Sequence, residues 1–236
     1  MPGLADGRGL ISVECCMGKK TLLGIISTLV LLGASASLYL SLYGLPPRID
    51  PRPHRALGRT LASEALKLGG PGARVIVIAR DTEFYRNPDA DEQLKALTEA
   101  IVKGGGTVSL ANKLKVDPLR VMSVPPGDFL QILKKATEKD VVVSLLGPPV
   151  FTREQVTSLQ GKALKVIAVC TGNLPRQNDL KQLFDQGILK VAVVSKKGAQ
   201  RHGPATEDTQ TWFDHLYALV TPANVAEFLS SNSPRL

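Results

Sequence analysis

Hydrophobic and polar positions along this chain fall into two regimes. Residues 21–43 read TLLGIISTLVLLGASASLYLSLY without a charged side chain; Lys19 and Lys20 stand just before the run, and the next charge is Arg48. About 20 apolar residues cross a hydrocarbon core of about 30 Å, so the run has the length of a transmembrane helix. Tyr39 and Tyr43 fall near its end, where a membrane interface favours tyrosine. From Ala73 onward the pattern changes to short β-branched runs that alternate with segments of helical period.

The runs RVIVIA (74–79), TVSLA (107–111), DVVVSLL (140–146), LKVIAVC (164–170) and LKVAVV (189–194) predict five strands. Between them lie predicted helices over 91–103, with Leu94, Leu97, Ala100 and Ile101 on the inner stripe, and over 128–139, with Phe129, Ile132, Leu133 and Ala136 inward. A third, over 152–159, opens with the capping-box spacing Thr152 to Gln155. A fourth covers 178–186, with Leu180, Leu183 and Phe184 inward. The tail predicts a helical turn over 209–215, a sixth strand over 217–220, and a last helix from Thr221-Pro222 to Leu229. Apolar strands without polar alternation are buried on both faces. The expected fold is therefore a flavodoxin- or Rossmann-like three-layer α/β domain with a mainly parallel sheet in the order 2-1-3-4-5.

Residues 44–59, GLPPRIDPRPHRALGR, hold four prolines and four arginines and predict a stiff spacer. Its His54 reads as an incidental linker histidine. A short helix over 60–68 follows, ended by Gly69-Gly70-Pro71-Gly72. The expected layout is a tail (1–20), an anchor (21–43), a linker with a short helix (44–72) and an α/β domain (73–236).

The apolar run admits two readings. Ala34-Ser35-Ala36 has the form of a signal peptidase site, which would release the chain after Ala36. Apolar character continues beyond it through Tyr43, and this favours an uncleaved anchor that contacts membrane lipid through residues 21–43. Met17 offers a second start that leaves Met-Gly-Lys-Lys ahead of the run, the layout of an export signal, and places the domain on the exported side. Arg48, Arg52, Arg55 and Arg59 oppose that orientation under the positive-inside rule.

The net charge of +8 is spread out: residues 1–71 and 72–236 each carry an excess of four positive charges. The denser half is the one beside the span, which suits anionic headgroups. A clustered basic face with an RNA or DNA motif is lacking and aromatics make up 5% of the chain, so no nucleic-acid partner is expected. Cys15, Cys16 and Cys170 form no C-x-x-C or Cys/His ligand spacing, and no metal or other cofactor is expected.

On such a sheet a ligand binds beyond the carboxyl ends of the strands, near the point where the strand order reverses. Those ends carry Arg80, Asp81 and Thr82 after the first strand, Gly147-Pro148-Pro149 after the third, Thr171, Gly172 and Asn173 after the fourth, and Ser195-Lys196-Lys197 after the fifth. A dinucleotide loop is excluded because Arg-Asp-Thr-Glu-Phe-Tyr follows Ala79 without a glycine. A phosphoacceptor receiver site is excluded because Leu145-Leu146-Gly147 stands where the third strand would need an aspartate. Cys170, at the end of a strand with His202 and His215 downstream, is the one candidate nucleophile; the competing reading is a buried structural cysteine.

The order of RVIVIA, LKALTEAIVKGGGTVSLA, DVVVSLLGPP and LKVIAVC resembles one lobe of the periplasmic-binding-protein-like class I domains of the sugar-binding type. That resemblance covers about half of the chain. Such proteins pair two lobes around a ligand cleft, and this chain has length for one. It implies a binding or sensing module for a small-molecule ligand, and the strand ends, not the resemblance, put the expected ligand site at Arg80, Asp81, Thr82, Gly147, Thr171, Gly172 and Asn173. An enzyme that uses Cys170 and a structural partner of another membrane protein are the alternatives.

Overall fold

The computed structural model describes residues 19–43, 49–83, 86–109, 113–114, 124–172, 179–196 and 203–232. The chain divides into two units, Met1–Arg48 and Ile49–Leu236. In the first, α1 (Lys19–Tyr43) is a single 25-residue helix. Its stretch Thr21–Leu42 is wholly exposed and is long and apolar enough to cross a membrane, a property that spans and signal sequences share. The Thr28 hydroxyl is satisfied within the helix, donating to the Gly24 carbonyl at 2.9 Å.

The second unit is a three-layer α/β fold. Its strands are β1 (Arg74–Arg80), β2 (Thr107–Ser109), β3 (Lys113–Leu114), β4 (Asp140–Ser144), β5 (Val166–Cys170), β6 (Val191–Ser195) and β7 (Tyr217–Val220). They form a sheet in the order β2-β1-β4-β5-β6-β7, with β3 also paired to β1. All pairings are parallel except that of β6 with β7. Since β2 and β3 share the same edge of β1, this is the expected order with the sixth strand added antiparallel.

The apolar runs are continuous because both faces of the sheet are covered. Val75, Val77, Val141, Val143, Ile167, Val169, Val191 and Val193 point into one core, and Ile78, Val142, Val166, Ala168, Ala192 and Val194 into the other. Helices α2 (Pro51–Gly69), α3 (Pro88–Lys103) and α7 (Thr209–Leu216) cover the first face. Helices α4 (Pro126–Lys135), α5 (Arg153–Thr157), α6 (Leu180–Asp185) and α8 (Val225–Asn232) cover the second. The capping box of α5 is formed as expected, with Thr152 and Gln155 bonding each other's backbone.

The expectation for residues 51–59 is overturned: they are helical, and the helix expected over 60–68 is the second half of α2. The prolines permit this. Asp50 caps the helix through the Arg52 amide, and Pro51 and Pro53 lie in the first turn, where backbone N–H groups have no intrahelical acceptor. Ala56, Leu57, Gly58, Leu61, Ala62 and Ala65 are buried, so α2 is part of the core. A Cβ on Gly58 would fall 2.5 Å from the Gln93 carbonyl oxygen and 2.9 Å from the Leu97 nitrogen, so α2 and α3 cross at a position only glycine fits. The triple glycine 104–106 ends α3, as expected, and also seats α2: Leu66 occupies the space that side chains at Gly104 and Gly106 would take.

Further boundaries shift by two to four residues: α3 starts earlier, at Pro88, while β5 and β6 start later, at Val166 and Val191, and local contacts account for three others. Helix α4 begins at Pro126 and stops at Lys135, because Thr137 turns away to bond Asp140. Strand β4 ends at Ser144, so Leu145 and Leu146 form a turn. The last helix begins at Val225, after a turn in which Asn224 accepts from the Thr221 amide at 2.7 Å.

Candidate functional site

The carboxyl edge of the sheet is the candidate site, because the strand order reverses there. After β1 the chain turns to one side, toward β2 and β3; after β4 it turns to the other, toward β5. Adjacent parallel strands that depart in opposite directions leave a crevice between their loops. Here those loops are residues 81–83 and 145–149, and the loop after β5 lies one strand further. With strands about 4.8 Å apart, the ends of β1 and β5 lie about 10 Å from one another.

The loop after β1 is fixed by its own polar groups. The Asp81 amide donates to the Leu114 carbonyl at 2.9 Å, which extends the β1–β3 ladder. The Asp81 carboxylate accepts from the Glu83 amide at 3.0 Å, and the Thr82 hydroxyl donates to Asp91 at 2.8 Å. Arg80, Asp81 and Thr82 are all half-buried. Asn87 then caps α3 by accepting from the Ala90 amide.

The loop after β4 turns inward. Ser144 is fully buried, and its hydroxyl donates to the Gly147 carbonyl at 2.7 Å. Gly147 has φ +77°, a left-handed conformation that a side chain would strain. Pro148 and Pro149 are buried and Val150 is exposed. The Ser144–Gly147 bond was not foreseen; its trace in the sequence is the one hydroxyl in a valine run, three residues before Gly-Pro-Pro.

After β5, Thr171 is half-buried and Gly172 is exposed with φ +64°. Asn173 lies outside the described residues, as do Lys197 and His202. After β6, Lys196 donates through its backbone to the Leu216 carbonyl at 2.9 Å and through Nζ to the Asp214 carbonyl, so it serves the packing of α7. Arg80, Asp81, Thr82, Gly147, Thr171 and Gly172 therefore share one edge, and Lys196 belongs to the flank.

Cys170 does not have the surroundings of a nucleophile. Its side chain is fully buried within the core beneath α4, α5, α6 and α8, where its sulfur lies 3.9 Å from the Ala168 carbonyl oxygen. Burial pushes the thiol up to about 12, so the thiolate that attacks is suppressed. His215 is on the exposed side of α7, which covers the opposite face of the sheet. Nor is His54 a linker residue: it lies half-buried on the first turn of α2, with Nε2 3.5 Å from Asp89. Among the described residues no group of three or more His, Cys, Asp or Glu side chains could hold a metal ion.

No protein-family model matches the chain, and no curated protein matches it. Solved structures do. A substrate-binding protein of a sugar ABC transport system from Bordetella parapertussis matches at 14% identity and a TM-score of 0.42, over 60% of this chain and 41% of its own. An ABC transporter solute-binding protein from Agrobacterium vitis with bound D-fucose matches at 13% identity and a TM-score of 0.45, over 76% of this chain and 61% of its own. A solute-binding protein from Burkholderia graminis in complex with D-arabinose matches at 21% identity and a TM-score of 0.44, over 72% of this chain and 60% of its own. The chain thus spans less than two thirds of the length of each. At TM-scores below 0.5 these likenesses carry no argument about what this chain binds.

Proposed function

We propose that this protein is a membrane-anchored, single-lobe α/β module on the exported side that binds or senses a small solute. The observation that carries the reading is the reversal of chain direction between β1 and β4, which sets Arg80, Asp81 and Thr82 against the Gly147 turn with Thr171 and Gly172 alongside. Hydroxyls, a carboxylate, a guanidinium and turn backbone at the rim of a crevice suit a compact polar ligand held by several hydrogen bonds. Residues 21–43 supply the anchor, in contact with lipid. Burial of Cys170 speaks against the alternative of a cysteine enzyme.

The test is a thermal-shift panel of sugars and amino acids on the full chain in lipid nanodiscs, beginning with D-arabinose and D-fucose. A ligand at a hundredfold its Kd stabilises by about 2.7 kcal/mol. The expected result is a rise in Tm with one compound class, abolished by Asp81→Ala or Gly147→Val in proteins that stay folded. A flat response across the panel overturns the reading and leaves the structural-partner alternative. Sidedness is tested separately, by the accessibility of a carboxyl-terminal tag in intact cells; a tag protected until the membrane is broken defeats the exported placement.

A further inference from the structure

We draw no further inference here: the strongest candidate, the stripe of small side chains that Gly33, Ser37 and Ser41 place on one face of α1, carries nothing because no second feature of the structure shows what covers it.

Discussion

The guanidinium of Arg52 lies over the ring of Trp212, 4.8 Å from its centre. The contact joins the first turn of α2 to α7, and the Trp212 indole is held in turn by donating to the Thr206 carbonyl at 2.7 Å. Arg52 also approaches Glu207 at 3.7 Å and pairs with Asp50 at 2.8 Å. One arginine in a proline-rich stretch thus fastens a helix that the sequence presents as a spacer.

Trp212 is the chain's single tryptophan, so its emission reports this contact directly. Arg52→Ala shifts the emission of the folded protein and lowers Tm slightly, since a cation over an aromatic face contributes little where water reaches it. Trp212→Ala empties a fully buried site and costs about 3–5 kcal/mol in urea unfolding. Unchanged emission in Arg52→Ala refutes the contact.

Gly58→Ala is the sharpest test of the α2–α3 crossing. The added methyl meets backbone atoms of Gln93 and Leu97, which cannot rotate away, and the expected loss is about 1–3 kcal/mol. Gly127→Ala, in open space within α4, is the matched control and leaves stability unchanged or raises it by up to about 1 kcal/mol. Urea midpoints of the two variants decide; equal midpoints mean that the helices do not meet at Gly58.

These two sites show what could be read in advance. The strands and their order were legible because apolar runs of strand length, alternating with helical periods, leave few topologies. The edge that carries Arg80, Asp81, Thr82, Gly147, Thr171 and Gly172 followed from the order. The second half of α2 was legible as a helix over 60–68, but its first half was not, because Pro51, Pro53 and the arginines among them disguise a helix whose prolines fall in the turn that tolerates them. Gly58 fell inside the expected spacer with no role of its own, although the glycine is required by a backbone more than thirty residues away. Strand β4 was read two residues too long, because Leu145 and Leu146 continue its apolar run past the point where Ser144 ties back to Gly147.

Acid stability centres on Asp140. Its side chain has no exposed surface, pairs with both Arg74 Nε and Nη2 (the latter at 2.6 Å), and accepts from the Thr137 amide at 2.7 Å and hydroxyl at 2.9 Å. The Arg74 hydrogen bonds come first among the causes that lower its pKa from 3.8 to about 2. A carboxyl depressed on folding contributes stability above the unfolded pKa and loses it as pH falls through the folded one. Wild type therefore exceeds Asp140→Asn by about 2 kcal/mol at pH 7, and the gap closes between about pH 4 and pH 2. A gap that stays constant in unfolding curves over that range contradicts this account.

In the folded protein Cys170 resists alkylation. With Cys15 and Cys16 replaced by serine, iodoacetamide at pH 8 leaves the native chain unlabelled and modifies it fully in urea, because the thiol is both buried and raised to about 12. Rapid labelling of the native chain, at a rate near that of a free thiol, would restore the nucleophile reading.

The measurement that bears most directly on the binding edge is differential hydrogen exchange on the full chain in nanodiscs, with and without the compound that raises Tm. The account predicts added protection in residues 80–83 and 145–149, with residues 171–172 following, and no change at the amino ends of β1 and β4 around Arg74 and Asp140. Protection confined to another face, or none with any compound in the panel, would contradict it.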